Sequence, residues 1–270
     1  MSYLKVIAKN TAFLYIRMIL IMGVTLYTSR IVLNVLGVVD YGLYSLVGGI
    51  VILFSFFNSS MTSATQRFLA YDIGRNDAKQ LCATFNATLN IHIAISILFF
   101  LLAETIGLLC INYFLKFPHN RLFAVNWVYQ FSIFAFILSI IQVPYDALII
   151  SREKLNIYAY LSFFEVFLKL IIIYFLLILD FDKLILYSTL IFLISIINNI
   201  TRIIYCKIYF DETKYFFYYD KVLYGKLISF SGWSLFGNIA GVARGEGSNV
   251  LLNIFFGATL NAAYGISMQV

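Results

Sequence analysis

The sequence predicts an all-α protein that crosses a membrane repeatedly, with about seven transmembrane helices and the beginning of an eighth. Hydrophobic residues make up 62% of the chain, charged residues only 12%, and the mean hydropathy is +0.90. Soluble domains average roughly 45–50% apolar and about 25% charged residues, so lipid must surround most of this chain. The apolar runs are about 20 residues long, which suits helices that cross a bilayer, and the strict two-residue alternation of a β-barrel is absent.

Seven apolar segments are long enough to be membrane spans. An eighth begins near Ala258. The third and the seventh segments exceed 20 residues, so we expect them to tilt, bend or extend beyond the bilayer. The predicted spans are Thr11–Leu36, Tyr41–Phe68, Leu81–Leu115, Leu122–Ile150, Leu155–Leu179, Leu184–Ile208 and Leu227–Phe256.

The positive charges are distributed unevenly between the two ends of the predicted spans. Cytoplasmic loops of membrane proteins are rich in Lys and Arg, so the N-terminus is predicted to be cytoplasmic. This also accounts for the net charge of +6 without a nucleic-acid partner. The predicted cytoplasmic ends carry Lys5, Lys9, Arg67, Arg75, Lys79, Arg152, Lys154, Arg202, Lys207, Lys214, Lys221 and Lys226, whereas the opposite loops carry Lys116, Arg121 and Lys183.

The cysteines and histidines do not form a pattern that would hold a metal or a cofactor. Cys82, Cys110 and Cys206 lack CxxC spacing, and His92 and His119 are too few and too far apart for a metal cluster. We therefore expect no metal site, no cofactor and no redox chemistry.

The longest connection between spans is residues 209–226, which reads YFDETKYFFYYDKVLYGK. Its mixture of Tyr, Phe, Lys and Asp suits a segment that lies in the headgroup region of the membrane. An ordinary linker with interfacial anchors explains the composition equally well, and both interpretations stay open.

Two stretches of the sequence resemble each other. Thr28–Asn34 reads TSRIVLN and Gly247–Asn253 reads GSNVLLN. Both lie at the outer end of an odd-numbered span, so the seventh span resembles the first in the same orientation. Six spans followed by a repeat is the arrangement of transporters with two lobes around a cavity. The matching residues are Ser29, Leu33 and Asn34 with Ser248, Leu252 and Asn253, then Gly37 and Tyr44 with Gly257 and Tyr264.

The repeat divides the chain into three parts. Residues 1–208 form a six-helix N-terminal lobe, 209–226 a cytoplasmic interfacial linker, and 227–270 the start of a C-terminal lobe. The chain ends at Val270 inside a new apolar run, so we expect a fragment that lacks most of the second lobe.

Four basic residues fall within predicted spans, where a charge costs about 2.5–3.5 kcal/mol and therefore suggests a function. Arg244 is the deepest, and Glu246 points to another face of the same helix, so either a distant carboxylate or an anionic ligand must neutralise it. Arg17 and Arg30 lie on different faces of a straight helix, and each could face a cavity or extend to its nearer interface. With Lys169, these residues are the predicted cationic cavity.

Three acidic residues are candidates for gating or for ion pairing. Glu165 precedes Lys169 by four residues, which is the favourable order for a pair within a helix. Asp146 follows Pro144, which removes a helical hydrogen bond and predicts a kink. Glu104 lies within the third span.

At four stretches the chain resembles the polysaccharide flippases of the multidrug/oligosaccharidyl-lipid/polysaccharide exporter superfamily. The first contains a G-x-x-x-Y-G-x-Y core between the first two spans. The order and spacing of the stretches carry the resemblance, which extends from the first span to the last residue. They are LNVLGVVDYGLYSLVGGI (Leu33–Ile50), SSMTSATQRFL (Ser59–Leu69), QVPYDALIISREKL (Gln142–Leu155) and SFSGWSLFGNIAG followed by NVLLNIFFGATLNAAYGISMQV (Ser229–Gly241, Asn249–Val270).

This resemblance implies a MATE-like fold of about 12–14 helices in two lobes, in the inner membrane of a bacterium. The implied substrate is a polyprenyl-pyrophosphate-linked oligosaccharide, which is moved to the outer leaflet during the synthesis of O-antigen, capsule or a similar polysaccharide. Pyrophosphate is the main polar obstacle to crossing, and Arg offers bidentate donors to phosphate oxygens. A coupling proton or sodium ion would be a further partner.

Three other functions remain as alternatives. A multidrug exporter of the same superfamily would need an acidic, cation-coupling cavity. A membrane-embedded glycosyl transferase or ligase would need a sizeable loop with acids or histidine, and the predicted outer loops are short. A non-transporting scaffold would tolerate neutralisation of all the buried charges.

Overall fold

The structure is a computed structural model that describes residues 3–52, 55–109, 111, 115 and 117–267. Within these ranges the structure describes some residues by their backbone alone. They are residues 3–10, 52, 55–57, 59, 119, 237, 239–246 and 258.

Every regular element within the described ranges is helical, which confirms the all-α prediction for this part of the chain. A π-helical turn extends the third helix, and two short 3-10 turns lie in connections. The helices are α1 (Tyr3–Ile52), α2 (Ser55–Gly74), α3 (Ala78–Leu102), α4 (Leu122–Ser151), α5 (Leu155–Ile178), α6 (Lys183–Tyr209), α7 (Lys221–Phe256) and α8 (Ala258–Ser267); the turns are Ala103–Gly107, His119–Arg121 and Asp211–Thr213.

Five helical segments among the described residues are long and apolar enough to cross a membrane, which is compatible with an α-helical membrane protein. Seven spans were predicted. The second is divided between the end of α1 and α2, which carries the polar run NSSMTSATQR, and the seventh, in α7, lies partly on residues whose side chains are not described. The qualifying segments are Thr11–Val51, Ala78–Gly107, Leu122–Ser151, Leu155–Ile178 and Lys183–Tyr209.

The predicted loop between the first two spans, Gly37–Asp40, is much shorter in the structure. Gly37 alone leaves the helical conformation, with φ 78° and ψ 167°, and helix resumes immediately after it. Positive φ is accessible to glycine because it has no Cβ atom. One residue therefore separates the two helical parts of α1.

The third predicted span contains an irregular turn, after which residues 108–109 are again α-helical. The α-helical part of α3 stops at Leu102, and the π-helical turn Ala103–Gly107 follows, in which the amide of Leu108 donates to the carbonyl of Ala103. Single π-turns are rare and are frequently found at functional sites. The carbonyl of Ala103 also accepts a hydrogen bond of 2.7 Å from the hydroxyl of Tyr129 on α4.

α4 is the central helix of the bundle and packs against α1, α2, α3, α5 and α6. Val125, Ile133 and Leu148 are completely buried along its length. α4 also remains helical through Pro144, where the sequence predicted a kink, and ends at Ser151. The most buried part of the described core is therefore organised around this one helix.

A single arginine joins three connections at the end of the bundle where α3 leads into α4. Arg121 donates 2.8 Å from its Nε to Oδ1 of Asp40 and makes a second contact with the other oxygen of that carboxylate. A third guanidinium nitrogen lies 2.6 Å from Asp182. Asp182 also caps α6 by accepting from the amides of Leu184 and Ile185. We call this group the Arg121 clamp.

The opposite end of the bundle is crossed by the segment between α6 and α7, residues 210–220, which we call the strap. The side chain of Asn86 on α3 accepts from the amide of Phe216 at 3.0 Å and donates to the carbonyl of Lys214 at 3.3 Å. The hydroxyl of Tyr215 donates to Asn90 at 3.0 Å. The non-helical part of the predicted linker 209–226 is thus shorter than expected, because α7 begins at Lys221, and it is fixed to α3.

A buried ion pair also holds the strap. Arg152, just after α4, donates from two guanidinium nitrogens to Oε1 of Glu212, which is 6% exposed. Next to it, the hydrogen bond from Lys214 keeps the pKa of the exposed carboxyl of Asp211 below its usual range. Most of the basic residues predicted to be cytoplasmic lie at this end, which we call the basic face.

Candidate functional site: a charged network within the bundle

The centre of the candidate site is Arg202 on α6, which is only 4% exposed. Its Nε lies 2.9 Å from Oδ1 of Asp146 on α4, and another guanidinium nitrogen lies 3.7 Å from Glu165 on α5. A buried arginine needs such acidic partners because desolvation of an unpaired charge costs several kcal/mol. Arg202 therefore ties together three helices through their charges.

Two further side chains extend this network along α4 and α5. Gln142 donates 2.7 Å to the second oxygen of Asp146. Lys169 donates 2.8 Å to Glu165, so these two residues lie in the pairing geometry that their spacing suggested. Each carboxylate thus has two partners.

Arg17 on α1 lies beside the network, close enough to Glu165 to interact with its charge but without an ion pair to a carboxylate among the described residues. Its Nε donates 2.7 Å to the hydroxyl of Ser162 on α5, and its guanidinium carbon lies 4.6 Å from the ring centroid of Tyr158. Arg17 and Phe13 are half-buried, whereas most of their neighbours on α1 are exposed. Residues four apart share one face of a helix, so the face of α1 that carries Phe13 and Arg17 packs against α5.

A polar cavity of about 200 Å³ lies between α1, α5 and α6 and includes Lys169 in its wall. Hydroxyl groups dominate the rest of that wall, contributed by two threonines, a serine and three tyrosines. The hydroxyls of Thr28 and Ser29 bond to carbonyls of their own helix. Its full lining is Thr25, Thr28, Ser29, Val32, Tyr41, Tyr44, Lys169, Ile173, Tyr187 and Ile191.

We call the five charged residues Arg17, Lys169, Arg202, Asp146 and Glu165 the charged network. Three cations and two carboxylates leave one formal positive charge. Because Arg17 is held by a hydroxyl and an aromatic ring, its remaining guanidinium donors form no ion pair with a described carboxylate. Guanidinium donors of this kind suit an anionic group.

The structure brings together only part of the predicted cationic cavity. Arg17 and Lys169 belong to the charged network, whereas Arg30 is exposed and is not part of the cavity wall. The side chain of Arg244 lies outside the described residues. Arg202 was assigned to a cytoplasmic end by its position in the sequence, but its side chain is buried.

The predicted acids also separate into two places. Asp146 and Glu165 both contact Arg202, but Glu104 lies in the π-helical turn, far from them along the bundle. There, Gln130 donates 3.3 Å to one of its oxygens, and the other oxygen is buried without a hydrogen-bond partner. Glu104 is therefore not part of the charged network.

A signal for the role of Arg202 is present in the sequence of α6. Asn198, Asn199, Arg202 and Cys206 are spaced to share one helical face, and the structure buries all four. Asn199 donates 2.7 Å to the carbonyl of Leu138 on α4. A polar face with helical spacing inside an apolar segment indicates burial against other polar groups.

Comparison with known proteins gives no match to a family model, a curated protein or a solved structure.

Proposed function

We propose that this chain belongs to a flippase that moves a polyprenyl-pyrophosphate-linked oligosaccharide across the bacterial inner membrane for surface polysaccharide synthesis. The observation that carries the proposal is the excess cation of the charged network. Arg17 on α1 contacts α5, and its guanidinium forms no ion pair with a described carboxylate. Pyrophosphate is an anion whose oxygens suit such donors.

The charged network could serve this substrate because its cations are fixed before the ligand arrives. Ser162 and Tyr158 orient Arg17, and Glu165 orients Lys169. Preorganised donors lose less conformational freedom on binding than unrestrained ones. The hydroxyl-rich cavity beside Lys169 offers further hydrogen-bonding groups for a sugar or a phosphate.

The multidrug-exporter alternative fits the charged network less well. A cationic drug needs an unengaged carboxylate, but Asp146 lies 2.9 Å from Arg202 and Glu165 lies 2.8 Å from Lys169. Binding a drug cation there would first require one of these pairs to break. Export of a cationic dye that depends on Glu165 would favour that alternative.

The first prediction concerns Arg17. The substitution Arg17→Gln is made in the native protein, in the cells that normally produce it. It should abolish surface polysaccharide while lipid-linked oligosaccharide accumulates, because the excess positive charge is lost. Arg17→Lys keeps the charge without the bidentate geometry and should retain part of the export. Immunoblotting of surface polysaccharide and extraction of the lipid-linked precursor measure the two quantities.

Arg75→Gln is the matched control, since Arg75 is an exposed arginine at the basic-face end of α2. It should leave export unchanged, and all variants should reach the membrane in equal amounts. Normal polysaccharide in the Arg17→Gln cells would contradict the proposed role of the charged network. The same assay applies to Arg30→Ala and Arg244→Ala, for which loss of export is expected from their positions within predicted spans.

A further inference from the structure

A second cationic site lies between α2 and α7 at the basic face, away from the charged network. It is a cavity of about 580 Å³, which we call the α2–α7 pocket. Three of its lining residues are basic and three are aromatic. The lining consists of Arg67 and Phe68 from α2 with Lys221, Val222, Gly225, Lys226, Ser229, Phe230 and Trp233 from α7.

The charges of this pocket are of one sign. Arg67, Lys221 and Lys226 are exposed, and the residues that line the pocket include no acid. The neighbouring acid in the sequence, Asp220, is the N-cap of α7 and accepts hydrogen bonds from the amides of Val222 and Leu223. The three cations therefore attract anions to the pocket, while the carboxylate of Asp220 pairs with the amides at the start of α7.

The aromatic side of the pocket includes an exposed tryptophan. The guanidinium carbon of Arg67 lies 4.6 Å from the ring centroid of Phe230, which fixes the arginine over an apolar surface. Trp233 is 79% exposed, and Phe236, further along α7, is 75% exposed. Tryptophan is enriched where the headgroups meet the hydrocarbon of a membrane.

We infer that the α2–α7 pocket binds the phosphate headgroup of an anionic phospholipid from the leaflet at the basic face. Arg67, Lys221 and Lys226 contact the phosphate, and Trp233 lies against the first part of an acyl chain. Basic pockets between the helices of membrane proteins bind anionic headgroups in this way. The inference does not depend on the proposed transport function, because it uses none of the residues of the charged network.

Trp233 provides a direct test, since the chain contains two tryptophans and Trp127 is the other. In the Trp127→Phe background, the protein is reconstituted in phosphatidylcholine vesicles that contain a small fraction of brominated lipid, either phosphatidylglycerol or phosphatidylcholine. Brominated phosphatidylglycerol should quench Trp233 fluorescence more strongly at the same fraction. The preference for this lipid should fall about fivefold for each cation removed by Arg67→Gln, Lys221→Gln or Lys226→Gln.

The control is the triple substitution Lys79→Gln, Lys154→Gln and Lys207→Gln, which removes three exposed charges elsewhere at the basic face. It should retain the lipid preference. Equal quenching by both lipids, or an equal loss in the control, would overturn the inference. Relief of the quenching by added inorganic phosphate would show that the pocket prefers a soluble anion and would also overturn it. The three pocket substitutions are made singly, so the test remains valid if one of these variants fails to fold.

Discussion

The side chain of Tyr129 packs against the π-helical turn at a position where only a glycine leaves room for it. Tyr129 is 1% exposed, and its hydroxyl bonds to the carbonyl of Ala103. The same hydroxyl occupies the space that a Cβ atom on Gly107 would need. Since the ring is fixed by its burial, it cannot easily move away from a larger residue at position 107.

Gly107→Ala should therefore destabilise the protein by about 1–3 kcal/mol, the usual cost of overpacking. In a Tyr129→Phe background the same substitution should cost less, because the hydroxyl is absent. Denaturant unfolding in detergent of the two single variants and the double variant measures this coupling. Additive costs would contradict the contact between these two residues.

The charged network was partly predictable from single residues. Glu165 and Lys169 lie on one helix, so their spacing alone indicates the pair. Arg202 and Asp146 lie on different helices, and their contact depends on how α4 packs against α6. From its position in the sequence, Arg202 was predicted to lie at the cytoplasmic end of its span. Sequence position alone does not show which way a side chain points.

At the scale of elements, helices with clear ends were predicted best. α4, α5 and α6 begin and end within one residue of the predicted spans, because apolar runs with polar boundaries define them. Asp182 caps α6, which gives its start a local cause. The bounds of α1 and α3 differ more from the predicted spans. The backbone conformation of Gly37 and the π-helical turn after α3 depend on local geometry, which the apolar pattern of the sequence does not indicate.

The strap is the element whose attachment was least visible in the sequence. Asn86 uses both its donor and its acceptor on the strap backbone, and it lies on α3, more than 100 residues earlier in the chain. A buried asparagine that satisfies two backbone groups contributes more than an ordinary side-chain hydrogen bond, because its loss leaves both groups unpaired.

Asn86→Ala should detach the strap and speed its cleavage by trypsin at Lys214 by roughly tenfold, since a lost buried hydrogen bond costs about 1–3 kcal/mol. Limited proteolysis of vesicles with the basic face outward measures the rate. Asn126→Ala is the control, because Asn126 bonds within α4 to Leu122. Equal cleavage rates in both variants would show that Asn86 does not hold the strap.

At the scale of the molecule, the two resembling stretches contain glycines with the same unusual backbone. Gly37 has φ 78° and ψ 167°, and Gly257, between α7 and α8, has φ 80° and ψ −172°. Ser45 and Gly265, which correspond at the same offset, pack against each other. The two stretches therefore share a backbone conformation at their glycines as well as a pattern of residues.

Gly37→Ala and Gly257→Ala should each destabilise the protein by about 1–3 kcal/mol, since this backbone region is essentially restricted to glycine. Gly23→Ala is the matched control in the helical part of α1, where a Cβ atom meets nothing within 4 Å. It should stabilise the protein by about 1 kcal/mol. Thermal unfolding in detergent compares the three, and a neutral effect at Gly37 would contradict the described turn.

The Arg121 clamp has a mechanical consequence. One guanidinium holds the turn after Gly37, the entry to α4 and the entry to α6, so these three points cannot separate while its ion pairs are intact. A large displacement of any one of these helices must break the clamp or move all three as a rigid body. Relative motion between helices is therefore expected at helix boundaries that the clamp does not join, such as the boundary between α2 and α7.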